Sequence, residues 1–246
     1  MKKCVVLANC QGDAIAKILR RQPEYSELFT TEYACNYEYV RDGSPIPITM
    51  FENADLVVYQ PLGGEIYQGL MEWLCTMGIH DRAISFPYIY NAGAFAMYEE
   101  GDKVYGSSPV LAIRDLGFAE IEKMIAGMAI DFKILPRYTD SMAEMKRREL
   151  GCDVAVSGEI ERFIEKEQIF YTQNHVSNRI LLPVVNAVLD KIGIQAISIE
   201  QAGEEAMVDF TWPLSPYEIN AYGLQLPPDE TWLSHMVRVA DRALKA

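Results

Sequence analysis

The chain has 246 residues, half of them apolar and 23% charged, with 22 Lys and Arg against 35 Asp and Glu and a formal net charge of −13. That length is ample for one large hydrophobic core, or one core with a smaller helical subdomain, and no apolar run reaches the ~18 residues of a membrane-spanning helix. The acidic balance excludes nucleic acid and anionic lipid as partners, because both are held through phosphates neutralised by Lys and Arg. A small anion in a local basic pocket remains compatible with it.

In chain order, Met1-Lys2-Lys3 leads into an apolar stretch of only about five residues before Asn9, shorter than the apolar region of a secretory signal. The pattern predicts a buried first strand over Cys4–Ala8. From Gln11 to Arg21 the periodicity turns helical, with Ala14, Ile15, Ile18 and Leu19 on one side. Ala54–Gln60 reads as a second strand ended by Pro61 and Gly63-Gly64, Glu65–Met77 as a helix, and Ala83–Phe86 as a third strand closed by Pro87. Alternation with short links implies right-handed crossovers and a parallel sheet. The fold class expected is therefore α/β: a parallel Rossmann-like part over 1–110, with a mainly helical part over 111–246 packed on it.

In the second half, helices are expected at Leu116–Ala129, Ser141–Leu150, Ser157–Glu167, Ser177–Ile192 and Asp229–Ala246. Pro183 predicts a kink or a late start in the fourth of these. Phe170–Gln173 is a short β-like run, and the four prolines of Trp212–Asp229 predict an irregular segment.

Chemistry gathers at two loop-to-helix junctions. The first is Leu7-Ala8-Asn9-Cys10-Gln11-Gly12, where a strand gives way to a helix, the edge at which parallel sheets bind ligands. A thiol at a helix start meets the positive end of the dipole and free N–H groups, both of which favour thiolate. Asn9 and Gln11 flank it with amides that could donate to an oxyanion. Equally compatible with the pattern is a small buried Cys10 with Asn9 as a helix cap. The turn carries neither GxGxxG nor GxxxxGK[ST], which argues against a dinucleotide-dependent oxidoreductase.

The second junction is Thr172-Gln173-Asn174-His175-Val176-Ser177. Its imidazole could take a thiol's proton and later return it to a leaving group, or serve only as a hydrogen-bonding residue at a helix entry. His80, at an expected helix end, and His235, in the terminal helix, read as structural or solvent-facing. Cys4, Cys35, Cys75 and Cys152 read as core or strand fillers. The five cysteines contain no CxxC pair and the three histidines no HxxxH or HExxH pair. This argues against a disulfide framework or a metal site and for a reducing, cytoplasmic setting. The charged stretch around Arg147, Arg148, Glu149 and Asp153 reads as a solvated helix end. Its alternative use is an acid orienting His175, with Arg148 clamping a phosphate or carboxylate.

Ala8-Asn9-Cys10-Gln11 and Asn174-His175 together resemble the WcbI family of capsular polysaccharide biosynthesis proteins. So do Asp55–Gln60, Phe86-Pro87-Tyr88-Ile89-Tyr90, Arg148-Glu149 with Asp153, and Phe170–His175. The similarity spans about residues 3 to 195. Ala8 stands where that family has glycine, and Val176 where proline commonly follows the histidine. The resemblance implies a coenzyme A-dependent acyltransferase that moves an acyl group, expected to be acetyl, to a sugar hydroxyl of a surface polysaccharide precursor. Cys10 would be the nucleophile or a thiol beside the thioester, and His175 the base and then acid, oriented by Asn174 or Glu149. Asn9 and Gln11 would hold the oxyanion. Gln11 and Gln60 would contact the cofactor, with Lys17, Arg20, Arg21, Arg148 and Arg179 as candidates for its phosphates. Direct transfer without an acyl-cysteine is equally allowed. Two other readings stand beside this one: an esterase with a layout similar to SGNH-type hydrolases, and a non-catalytic nucleotide- or glycan-binding module. A homo-oligomer is compatible with all of them.

Overall fold

In the computed structural model, residues 1–76 and 82–246 are described. The protein is mixed α/β, with a parallel sheet at the N-terminus and a mostly helical remainder. His80, expected at a helix end, falls outside the described residues, as does the side chain of Cys75.

The chain divides into two compact units. The first comprises Met1–Ile89, Met145–Glu159 and His175–Val208, and the second Tyr90–Glu144, Ile160–Asn174 and Asp209–Ala246.

The first unit is built on a four-stranded sheet of order β2-β1-β3-β4, comprising β1 (Lys2–Ala8), β2 (Phe29–Cys35), β3 (Leu56–Tyr59) and β4 (Ala83–Ser85). Every pair is parallel, with Leu7 opposite both Ala34 and Tyr59. The continuous apolar run Cys4–Ala8 is fully buried, as a strand covered on both faces requires. Helices α1 (Cys10–Arg20), α2 (Pro23–Leu28), α3 (Asn36–Asp42) and α4 (Glu65–Thr76) supply the crossovers. Gly12 lets α1 lie close on β1: a Cβ there would stand 2.7 Å from the Ala8 Cβ and 3.0 Å from Val6 Cγ1.

Strand β2 went unread in the sequence because Phe29-Thr-Thr-Glu-Tyr-Ala-Cys35 is an edge strand. Thr30 and Glu32 are exposed, so the continuous apolar signature of an interior strand is missing.

In the second unit, β5 (Tyr98–Glu100) and β6 (Lys103–Tyr105) form an antiparallel hairpin, too short to register in a sequence pattern. Helices α5 (Ser108–Ala112), α6 (Phe118–Ala126), α11 (Pro216–Tyr222) and α12 (Trp232–Lys245) belong to this unit. α12 packs on α5, α6 and the hairpin. Between them in sequence come α7 (Ile134–Glu149), α8 (Ser157–Phe163), α9 (Asn178–Lys191) and α10 (Ile199–Ala202).

Three local expectations need correction. Phe170–Gln173 is a bend with a single bridge residue at Phe170. The Trp212–Asp229 segment contains α11, because Pro216 occupies its first turn and Ser215 with Glu218 forms a reciprocal capping box. Proline fits the first turn, where its missing N–H costs nothing. Finally, α9 begins directly after Ser177 and runs through Pro183, so the proline does not delay it.

Candidate functional site

The strand order places the sheet's switch point between β1 and β3, whose carboxyl ends are where such sheets take ligands. Three side chains define that edge. Asn9 is the N-cap of α1, and its Oδ1 accepts from Gln11 N at 3.0 Å. Gln60, the residue after β3, accepts from Asn9 N at 3.0 Å through Oε1 and donates from Nε2 to Gln11 Oε1 at 2.8 Å. Gln11 donates from Nε2 to Ile89 O at 2.6 Å, and its Oε1 also accepts from Ile89 N at 3.2 Å. Both glutamines are buried. Buried amides without partners cost about 1–3 kcal/mol each, so this closed circuit fixes the turn that carries Cys10. The Tyr33 hydroxyl closes its other side, donating to Asn9 O at 3.0 Å.

With Oδ1 engaged, the Asn9 amide is oriented, and its Nδ2 has no hydrogen-bond partner among the described residues. It is a preset donor one residue from the thiol. Cys10 itself is half-buried. Burial first, then the neighbouring Cys35, pushes its thiol up to about 11, while the Gln11 backbone N–H pulls the other way. The thiolate expected from the helix dipole is thus not the resting form: desolvation outweighs the first-turn N–H groups. A base is needed to ionise it.

His175 belongs to the same unit as Cys10. It is half-buried and lies three residues ahead of α9, the helix that packs on α1. Asn174 falls in the other unit, where its Oδ1 accepts from Thr172 Oγ1 at 3.0 Å. Glu149 caps α8: Oε1 accepts from Val156 N and Ser157 N, and Oε2 from Ser157 Oγ. Asp153 plays a similar part at β4, its Oδ2 accepting from Ser85 N and Ser85 Oγ, both at 2.7 Å. Arg148 lies over the Tyr88 ring at 5.6 Å and reaches the Tyr88 carbonyl at 3.4 Å.

Of the basic residues that the resemblance offers for phosphates, three are engaged by partners within the unit. Lys17 pairs with Asp13 at 2.9 Å. Arg20 donates to Thr31 O at 3.0 Å, and Arg21 to the carbonyls of Ala202 and Glu204. At 1.5 Å per residue, Arg20 lies about 15 Å along α1 from Cys10. Arg179 sits in the first turn of α9, four residues after His175. Every candidate catalytic or cofactor residue except Asn174 therefore falls in the first unit. Sequence reasoning missed Tyr33 as a prop of the turn and Cys35 as the thiol's neighbour. The register that sets Ala8 beside Cys35 is invisible without β2. Among the described residues no group of His, Cys, Asp and Glu could hold a metal ion, and no helix is long and apolar enough to cross a membrane.

A parallel α/β protein with a thiol and polar amides at the switch point is the class these features define. The family model for the polysaccharide biosynthesis enzyme WcbI matches residues 3–196. The chain belongs to the WcbI family. A solved WcbI structure is similar in fold, with a TM-score of 0.70 and 16% identity over all of this chain and 90% of that one. It is described as the native protein without a disulfide bond between coenzyme A and a cysteine. No curated protein matches the chain. The protein is thereby an enzyme of polysaccharide biosynthesis.

Proposed function

We propose that the protein is a coenzyme A-dependent O-acyltransferase, moving an acyl group, in the first instance acetyl, to a sugar hydroxyl during capsular or surface polysaccharide synthesis in the cytoplasm. The observation that carries this reading is the Asn9 amide, held through Oδ1 so that its partnerless donor lies beside Cys10. Such a donor, with the backbone N–H groups opening α1, suits the oxyanion that forms when a thioester carbonyl is attacked. The solved relative's association with coenzyme A supports the donor class.

The residues fit such a donor at its sulfur end. Cys10 and Asn9 face the reacting carbonyl, and Gln11 and Gln60 hold them in place. For its phosphates, two arginines from outside α1 are candidates. Arg148 stands over Tyr88, the neighbour of the Ile89 that Gln11 holds, and Arg179 follows His175 by four residues. Arg20 and Arg21 stand at the far end of α1. In the covalent route His175 takes the Cys10 proton, Sγ attacks the acyl carbon, and coenzyme A leaves as its thiol. The sugar oxygen then attacks the acyl-cysteine as His175 accepts the hydroxyl proton, and the Cys10 sulfur leaves and takes that proton back. In the direct route His175 deprotonates the sugar hydroxyl, whose oxygen attacks the thioester carbon while Asn9 holds the oxyanion; the C–S bond then breaks and coenzyme A leaves as its thiol with the proton from His175. The protonated resting state of Cys10 favours the direct route as the second reading.

Incubation with acetyl-CoA, with and without a capsular sugar acceptor, followed by intact-mass measurement, separates the routes. The covalent route gives a mass adduct that Cys10→Ala abolishes along with transfer. Transfer that survives in Cys10→Ala but is lost in His175→Ala identifies the direct route. Release of free acetate without sugar would indicate an esterase. An absence of coenzyme A binding overturns the proposal.

A further inference from the structure

A second thiol stands at the carboxyl edge of the sheet. In the β1–β2 ladder Ala8 is directly opposite Cys35, and neighbouring strands lie about 4.8 Å apart. Cys10 opens α1 only two residues after Ala8. Tyr33 links the two cysteines' surroundings: its hydroxyl donates to Asn9 O at 3.0 Å, and it lies two residues before Cys35 on the same face of β2. Cys35 also weighs on the ionisation of Cys10 more heavily than Asp13 does, as expected of close neighbours. Both thiols are half-buried, whereas Cys4 is fully buried toward the opposite end of β1. Acyl transfer as described above has no use for Cys35.

We propose that Cys10 and Cys35 form a dithiol site for small disulfides, in which Cys35 resolves a mixed disulfide formed on Cys10. The co-reactant is a disulfide of a low-molecular-weight thiol. Cys10, once a base has taken its proton, attacks one of its sulfurs; the S–S bond breaks, one thiolate leaves and collects that proton, and Cys10 carries the other half as a mixed disulfide. Cys35, as thiolate, then attacks Cys10 Sγ and expels the second small thiolate, leaving a Cys10–Cys35 bond. The two protein thiols are oxidised, one small disulfide is reduced to two thiols, and the two protons end on those thiols. Exchange of this kind requires an accessible attacking thiolate beside the sulfur it displaces. The oxidised pair removes the Cys10 thiol from the acyl-transfer edge until a reductant restores it. The inference shares Cys10 with the proposed function but does not depend on acyl transfer.

The test is incubation of the full chain with oxidised glutathione in the absence of any acyl donor, followed over time by intact mass and non-reducing peptide mapping. The wild type should pass through a glutathione adduct to a chain lighter by two hydrogens, with the Cys10 and Cys35 peptides joined. In Cys35→Ser and Cys35→Ala the adduct should persist on Cys10, its loss slowed more than about tenfold, because an intramolecular thiol acts at a high effective concentration. Three results would overturn the proposal: an adduct on wild type as long-lived as on the variants, a bond joining other cysteines, or no reaction at Cys10. Circular dichroism of both variants, and recovery of the free thiols with dithiothreitol, distinguish lost chemistry from lost fold.

Discussion

The two units each hold an irregular turn in place with buried polar side chains, but they use different chemistry. At the Cys10 turn the clamps are neutral: Gln11 and Gln60 exchange hydrogen bonds with each other, with Asn9 N and with the Ile89 backbone. In the second unit the clamps are ionisable, an arginine and a carboxyl group whose pKa burial raises. Arg137 donates to the carbonyls of Ala92, Phe95 and Ala96 at 2.7–2.8 Å. Fully buried Glu218 accepts from Ala96 N, Ser215 N and Ser215 Oγ. Tyr222 completes that clamp by donating to Gly93 O. Gly93 has no room for a side chain there, since a Cβ would lie 2.3 Å from Tyr138 N. Charged hydrogen bonds hold more strongly but carry a desolvation cost. Neutral amides fix geometry without imposing a net field. The second unit's turn is held by ionisable side chains, whereas the amides that hold the Cys10 turn add no charge of their own beside its thiol.

The largest effect that would test this contrast is at Glu218. Glu218→Ala strands three buried donors and should lower stability by about 3 kcal/mol or more, read from urea unfolding midpoints. A loss under about 1 kcal/mol would mean that the Glu218 clamp is not what holds the turn.

Gln60→Glu probes the neutral clamp with nearly the same shape. In its protonated form the introduced carboxyl can accept from Asn9 N and donate to Gln11 Oε1, whereas the carboxylate cannot donate. Burial would raise its folded-state pKa above the unfolded value of about 4.3. Stability should therefore be near wild type at about pH 4 and fall progressively as pH rises, because the unfolded chain releases the proton first. A pH-independent difference between variant and wild type would break the argument.

The smallest effect concerns His235. Its ring lies against Trp212 at 5.0 Å, with Nε2 buried and without a hydrogen-bond partner. Burial, then the Arg238 charge, lowers its pKa from 6.5 to about 4, with Glu99 opposing. The unfolded chain therefore binds a proton before the folded one does. This group's contribution is present above pH 6.5 and is lost as pH falls toward about 4. His235→Phe should flatten that part of the stability profile relative to wild type, measured by thermal unfolding at a series of pH values. An unchanged slope would assign the acid sensitivity elsewhere.

The Cys10 turn was legible in the sequence because it rests on local rules. A continuous apolar strand, an Asn cap and a helical repeat all lie within about twenty residues of one another. The Thr172–Ser177 junction gave His175 on the same local grounds, and the resemblance then added the distant Gln60. Glu149 and Asp153 were noticed for their charge, but sequence alone gave no sign that they tie α8 and β4 to neighbouring segments. Capping contacts of that kind depend on which backbone N–H groups tertiary folding leaves open.

The sequence by itself determined a parallel α/β protein with a thiol at a strand-to-helix turn and an imidazole ahead of a late helix. Periodicity, caps and breakers act over a few residues and survive without a fold. The tertiary structure alone decided three things: that β2 brings Cys35 beside Ala8, that Gln60 closes on Asn9 and Gln11, and that burial keeps Cys10 protonated. Each depends on strand register or on exclusion of water, and those properties exist only once distant segments have packed together.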